Sequence, residues 1–319
     1  MFDIVGKRGW YFIFSAIIII PGLLSMIAPP GWASGGSGLK PGIDFTSGSV
    51  LTVAFEEPAQ SEPVRAVLAD LGHPEARVQA VGDRSVLIRT SVLQEASGNQ
   101  ISEQQRIVDA LDEQIGPIDA SGVDTVSPII AQETVRNTFL ALLVASVFIL
   151  IYIWYAFRRV PRAYRYGVAA VVTLAHDTVI VLGVFSILGR VIGMEVNSMF
   201  IVGILTVAGY SVNDTIVVFD RIRENTIRVP DRRLEDTVNL SIIESVGRSI
   251  NTSFTTLMVL LAMLLIGGEA IRELLLVVAI GVVVGTYSSI FIAAQFLVIW
   301  ERREFGRVFS LGRREATAS

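Results

Sequence analysis

Six stretches of this chain, about residues 10–28, 137–157, 168–189, 196–220, 250–268 and 274–299, run for about 19 to 26 residues with almost no charge. At ~1.5 Å rise per residue, ~20 helical residues cross a ~30 Å hydrocarbon core. Lipid offers the backbone no hydrogen-bonding partner, so such runs must become helices whose bonds close internally. The mean hydropathy of +0.58 and the 52% hydrophobic content agree, because the apolar residues are gathered rather than spread. The expected fold class is an α-helical membrane protein with six transmembrane helices.

The first run needs comparison with a secretory leader, since Lys7-Arg8 precede the apolar stretch from Trp10 to Ala28. It is followed by Pro29-Pro30-Gly31-Trp32 rather than by a small-x-small cleavage pattern, so it reads as a retained span. Orientation follows from the arginines. One side collects Lys7, Arg8, Arg158, Arg159, Arg162, Arg165, the segment Arg221 to Arg248 and the tail from Arg302; the other side's short loops carry Arg190 and Arg272. The positive-inside rule puts both termini of this multi-pass protein in the cytoplasm.

The organisation expected is therefore 1–28 as cytoplasmic N-terminus and first span, 29–136 as a periplasmic domain with linkers, 137–300 as spans two to six, and 301–319 as a cytoplasmic tail. Ser34 to Gly38 reads as a flexible linker. Beyond it, Ser49–Phe55 is strand-like, Pro63–Leu71 is a short amphipathic helix, and Arg77–Val81 and Ser85–Thr90 are strands joined by Gly82-Asp83. Ser102 caps a helix through Ile115 with Gln105 at the capping-box position, and a last strand falls near Val123–Val126. The order βαββαβ is a ferredoxin-like split βαβ pattern, a small α+β fold.

Composition excludes several chemistries. No cysteine means no disulfide and no thiolate ligand or nucleophile. Two histidines, His73 and His176, cannot make a histidine-rich metal site, and a net charge of −4 gives no reason to invoke nucleic acid. His73, beside Pro74, reads as a turn residue. No nucleophile elbow or phosphate loop is present, so neither catalysis nor a cofactor is expected.

Polar residues inside the spans carry the functional argument. An ionised carboxylate at the centre of a spanning helix costs roughly 2.5–3.5 kcal/mol on insertion scales. Asp214 stands in such a segment, with Thr206 and Tyr210 at the i−8 and i−4 positions and Ser211 on the same flank. On the fifth span Arg248, Asn251, Thr252 and Thr255 share one face. One reading makes Asp214 a proton carrier whose ionisation Arg248 favours by approach; the other makes the two a fixed pair cementing helices. His176-Asp177 on the third span is either a relay or an interhelical hydrogen bond. Asp220 and the run from Arg221 to Glu224 read as an ordinary solvated helix end. Gly281 and Gly285 form a small-xxx-small packing notch. Leu234, Val238 and Ile242, four apart, suggest a surface-lying amphipathic helix over 227–246.

At these residues the chain resembles the SecF family, the smaller of two membrane subunits that assist bacterial protein export. The resemblance rests on Gly42-Ile43-Asp44-Phe45-Thr46 with Gly48, and on Gly209-Tyr210-Ser211-Val212-Asn213-Asp214-Thr215 followed by Asp220-Arg221-Ile222-Arg223-Glu224-Asn225. It rests also on His176-Asp177 and on Arg248 to Ser253, and it covers nearly the whole chain. Ser47 and Ser49 depart from the Gly and Thr expected there. The resemblance implies half of an RND-type transporter, with SecD supplying six further spans, SecYEG and YajC as neighbours, and an exported unfolded polypeptide as cargo. It implies protons as the coupling ion, Asp214 and Arg248 as proton-coupling residues, and Asp177, His176, Asn213, Tyr210 and Asp220 as relay or helix-pairing candidates. A solute exporter of the same superfamily is the alternative, though it calls for a larger outer domain. A third reading is a scaffold without ion flux.

Overall fold

The computed structural model describes residues 3–27, 38–94, 101–268 and 271–302. The chain divides into two compact units, one of residues 1–40 with 140–319 and the other of residues 41–139.

The smaller unit opens with a one-turn helix α2 (Ile43–Thr46) and continues β1 (Gly48–Phe55), α3 (Ser61–Asp70), β2 (Arg77–Val81), β3 (Ser85–Thr90), α4 (Glu103–Gln114) and β4 (Ile118–Val126). The sheet order is β2-β3-β1-β4 with every neighbour antiparallel, which is the split βαβ arrangement expected. β4 is longer than the Val123–Val126 expected. Period-2 alternation in β1 turns Leu51, Val53 and Phe55 inward, where they pack with Val86, Ile88, Val64, Leu68, Ile107 and Leu111. Ser102 caps α4 by accepting from the Gln105 amide at 3.2 Å. The reciprocal half of the box is not made, because the Gln105 side chain donates to Asp109 instead. His73 follows a turn, as expected, but its ring is buried and its Nδ1 lies 3.1 Å from the Thr90 hydroxyl, tying α3's end to β3.

At the start of this unit Gly48 has φ of 128°, and a Cβ there would sit 2.7 Å from the Thr90 carbonyl oxygen. Ser47, at φ 63°, occupies the left-handed region that favours glycine. That is the physical reason a glycine is expected at this position. Ser49 is buried, its hydroxyl bonded to Thr125 and to the Leu93 amide.

The larger unit holds α1 (Arg8–Ile27), most of α5 (Pro128–Ala156), α6 (Tyr164–Ile192), α7 (Ser198–Arg228), α8 (Leu234–Ile266) and a sixth rod of α9 (Arg272–Ser288), one π turn (Ser289–Ala293) and α10 (Ala294–Arg302). All six are long and apolar enough to cross a membrane. Their ends overrun the expected spans: α5 starts at Pro128 rather than near 137. The expected surface helix is absent as a separate element. Residues 234–246 are the first turns of α8, and Val238 and Ile242 are wholly buried against Phe219 and Ile222. Between α8 and α9, residues 269 and 270 lie outside the described residues, as do most of the linker, 34–37, and the tail from 303. Gly38 is no flexible hinge; a Cβ on it would stand 2.1 Å from the Ser186 hydroxyl and 2.4 Å from the Ser25 carbonyl.

Glycines set the helix spacing. Gly22 of α1 and Gly183 of α6 meet backbone to backbone. Along α7 and α9, Gly203 faces Val277, Val207 faces Gly281, and Ser211 faces Gly285. The offset stays constant, so α7 and α9 run parallel, each small residue receiving its neighbour's side chain. This fixes the turn Thr286-Tyr287-Ser288 beside Ser211 and Asp214.

The apolar core of this unit forms two clusters. One, at the arginine-rich end, gathers Phe157, Tyr166, Phe219, Ile222 and Val298; the other gathers Val181, Phe185, Phe200, Ile204 and Val277. On α6, α7 and α9 the polar residues lie in sequence between these clusters, making a hydrophilic layer within the bundle. Gln295 is wholly buried outside that layer, and neither atom of its amide has a hydrogen-bond partner among the described residues. An orphaned buried amide costs about 1–3 kcal/mol. Gln295→Met, of similar shape, is therefore expected to raise the thermal unfolding midpoint of the full chain in detergent by a few degrees. A lowered midpoint would show that the amide has a partner.

Candidate functional site

The hydrophilic layer contains two buried carboxylates. Asp177, on α6, is wholly buried. Ser211 Oγ of α7 donates to its Oδ2 at 2.5 Å and Ser288 Oγ of α9 at 2.7 Å, while His176 Nδ1 lies 2.9 Å from its Oδ1. His176 Nε2 in turn meets Ser15 Oγ of α1 at 2.9 Å. Tyr287 closes the outer edge, its hydroxyl donating to the Tyr11 carbonyl at 2.7 Å. One carboxylate thus gathers four helices, since each short polar side chain comes from a different rod.

Asp214, on α7, is 2% exposed. Ser253 Oγ of α8 approaches its Oδ2 at 3.4 Å, and Ser253 is also hydrogen-bonded to Thr286 of α9 and to the Tyr210 hydroxyl at 3.0 Å. Every described partner of Asp214 is a neutral hydroxyl. That contrasts with Asp177, which has an imidazole, and leaves Asp214 without a counter-charge within this chain's described contacts. Because Ser211 and Asp214 are three residues apart on one helix, and Thr286 and Ser288 two apart on another, the carboxylates belong to one layer.

The structure does not bring Arg248 to Asp214. Arg248 sits on the exposed face of α8 with Asn251 and Thr252, and among the described residues its side chain has no ion-pair partner. Residue 248 precedes 253 by five positions, ~7.5 Å along the axis and on another face of the helix. The inward face of α8 is instead Ser241, Ser245, Ser249 and Ser253, spaced by four and all buried. Thr206 and Asn213 are exposed as well. Asp220 is exposed and pairs with Arg223 at 2.6 Å, but α7 runs on to Arg228, so the expected helix end is an interior turn of the helix.

Four residues missed by sequence reading are structural to this layer: Ser15, Ser253, Thr286 and Ser288. For Ser253 the signal was the four-residue spacing Ser241, Ser245, Ser249 and Ser253; the other three are hydroxyls in apolar helices that carry no such spacing signal. Asn225, 3% exposed, was also missed; it donates to Ser241 at 3.0 Å and to Glu244 at 2.9 Å, clasping α7 to α8. Asn197 caps α7 from the Phe200 amide and also bonds Glu273 of α9. Among the described residues no cluster of His, Asp and Glu could hold a metal ion.

Fold and site together define a six-span helical membrane protein with a small separate α+β domain and two carboxylates buried in one polar layer of the bundle. The chain belongs to the SecD/SecF family of protein export membrane proteins, on its SecF side. Residues 107–303 match the C-terminal profile of the protein export membrane proteins SecD/SecF, and residues 32–59 match the SecD/SecF GG motif. Protein translocase subunit SecF of Thermobaculum terrenum is 39% identical over the whole of both chains, and that of Anaerolinea thermophila 38%. Among solved structures, SecDF of Thermus thermophilus, described as a translocon-associated membrane protein, superposes with a TM-score of 0.78 at 32% identity over 95% of this chain. The chain spans only 39% of that SecDF chain.

Proposed function

We propose that this chain is a non-enzymatic subunit of Sec-pathway protein export, coupled to the proton gradient through Asp214. Its relatives are translocase subunits by name. The observation that carries the coupling is a buried carboxylate deep in a spanning helix, held by hydroxyls alone. Such a group changes its charge state at modest cost when the surroundings change, because no fixed cation commits it. Hydroxyls suit both states, since they donate to a carboxylate and accept from a carboxylic acid. Arg248 supplies the missing charge when α8 shifts or a partner helix arrives. The polar stripe Arg248, Asn251 and Thr252 faces outward from this chain, and almost none of the α5 and α8 spans is buried within it. A polar stripe is costly against lipid, which supports a protein partner there. SecD is the partner we infer, since the SecDF relative carries more than the part matched here. SecYEG and YajC are the further neighbours, an unfolded polypeptide the cargo, and the cytoplasmic membrane the site, with both termini in the cytoplasm. His176 and Asp177 act in this reading as the fixed clasp about which α7 and α8 move.

The energy suffices. One charge crossing 100 mV releases ~2.3 kcal/mol, which shifts a two-state equilibrium about 50-fold. The test is proton uptake by vesicles holding this chain together with SecD and an internal pH-sensitive dye. Asp214→Asn should abolish the uptake that depends on both subunits, and Asp214→Glu should retain part of it. Equal uptake by parent and Asp214→Asn would refute the assignment.

A further inference from the structure

The arginine-rich end of the spanning unit contains a cavity that the export reading leaves unused. Four helix ends surround it: the starts of α6 and α8 and the ends of α7 and α10. Its volume is about 220 Å³, roughly seven waters at ~30 Å³ each. Three guanidiniums line it, those of Arg162, Arg165 and Arg232, against the single carboxylate of Glu301, so the lining carries a net charge of +2. Glu301 is shared by Arg162 and Arg165. One carboxylate cannot satisfy two five-donor forks, and Arg232 adds a third. Arg162 is held at φ 57°, in the left-handed region that side chains other than glycine rarely adopt. Strain of this kind persists where the surroundings enforce a particular side-chain placement.

The surroundings of Arg165 identify the kind of anion. Arg165 lies 5.9 Å from the centre of the Tyr164 ring and 5.6 Å from that of Trp300, and the two rings meet edge to face. Tyrosine and tryptophan paired in this way at the ends of spanning helices mark the headgroup level of a bilayer. The remaining lining is mostly apolar, with Val160, Val229, Leu234 and Leu297 beside the hydroxyl residues Thr226 and Thr237. A site half basic and half apolar at headgroup depth suits an amphiphile better than a hydrated free ion.

We propose that this cavity binds the phosphodiester headgroup of an anionic phospholipid. Arg162 and Arg232 are its direct ligands, and Arg165 is the fixed charge behind them, braced by Glu301 and the two rings. Guanidinium forks match the paired oxygens of a phosphodiester. The bound lipid joins the α5–α6 connection to the α7–α8 connection, on the side of the bundle that carries the Asn225 clasp.

The test uses the purified full-length chain in detergent, titrated with phosphatidylglycerol or phosphatidylcholine and followed by native mass spectrometry. Preference for phosphatidylglycerol is expected. Removing two basic side chains in Arg162→Gln/Arg232→Gln should weaken phosphatidylglycerol binding about 30-fold and leave phosphatidylcholine unchanged. Arg232→Gln alone, which breaks no described ion pair, should weaken it about fivefold and guards against misfolding of the double variant. Arg158→Gln/Arg159→Gln alters the same loop outside the cavity and should keep the preference. The proposal is overturned if the parent shows no preference, if the cavity variants bind like the parent, or if the Arg158/Arg159 pair costs as much. Inorganic phosphate that displaces the lipid at equal concentration would overturn it too, by making the site one for a soluble anion.

Discussion

Asp177→Leu is expected to destabilise the membrane unit by about 2–4 kcal/mol, one of the largest effects of any single substitution in this chain. Removing the carboxylate takes a partner from three groups at once: His176 Nδ1 and the hydroxyls of Ser211 and Ser288. The losses are unequal. Ser288 has a second acceptor at hand, the Gly285 carbonyl at 3.2 Å, and a serine in a helix can turn to the carbonyl four residues back. An imidazole has no such local escape. Most of the cost therefore falls on His176, at about 1–3 kcal/mol for a buried unsatisfied polar group. Asp177→Asn keeps one acceptor oxygen and should lose about half as much. Thermal unfolding of the full chain in detergent decides the matter; a parent-like midpoint for Asp177→Leu would mean the layer is not held by this carboxylate.

Gly281→Leu should be worse tolerated still, at about 3 kcal/mol or more. The first carbon of the new side chain would lie 2.0 Å from one methyl of Val207 and 2.6 Å from the other. Valine is stiff at χ1 and cannot swing its methyls away, so the backbones of α7 and α9 must part. Separation there also moves Thr286 and Ser288 away from Ser253 and Asp177. The internal control is Gly247→Ala on α8, where a Cβ meets nothing within 4 Å. That change should be neutral or stabilising by up to ~1 kcal/mol, from helix propensity alone. If both glycines respond alike, close helix approach is not what Gly281 provides.

The architecture was legible because its determinants are repetitive. Uncharged runs of spanning length identify helices whatever their neighbours, and alternation in Leu51-Thr52-Val53-Ala54-Phe55 identifies a strand with one buried face. The arrangement of α8 was not legible. Glu244 and Arg248 interrupt the apolar pattern ahead of the span from 250, so residues 227–246 read as a separate surface helix. Val238 and Ile242 satisfy the same four-residue spacing whether they face lipid or Phe219. The hydrophilic layer was half legible. A carboxylate in an apolar run is conspicuous, so Asp177 and Asp214 stand out, but serine barely perturbs hydropathy. The inward serines of α8 were therefore passed over for the more polar Arg248, Asn251, Thr252 and Thr255, which point outward. Polarity marks a face that needs a partner, and in a chain that meets other subunits that partner need not be its own helix.

The contrast between the two carboxylates is the centre of the account. Asp177 is committed, with an imidazole and two hydroxyls holding it among four helices. Asp214 is uncommitted, with hydroxyls alone and an arginine on the next helix facing elsewhere. In the proton-coupled function proposed above, Asp177 keeps the helices registered and Asp214 changes state.

The measurement that tests this most directly is export of a slow-folding secreted protein into inverted membrane vesicles carrying Asp214→Asn, at matched protein level and partner assembly, with and without a proton gradient. The account predicts that the substitution removes the gradient-dependent part of export and leaves the gradient-independent part intact. Gradient-dependent export that survives unchanged would contradict it, making Asp214 a structural residue and Asp177 the next carboxylate to test.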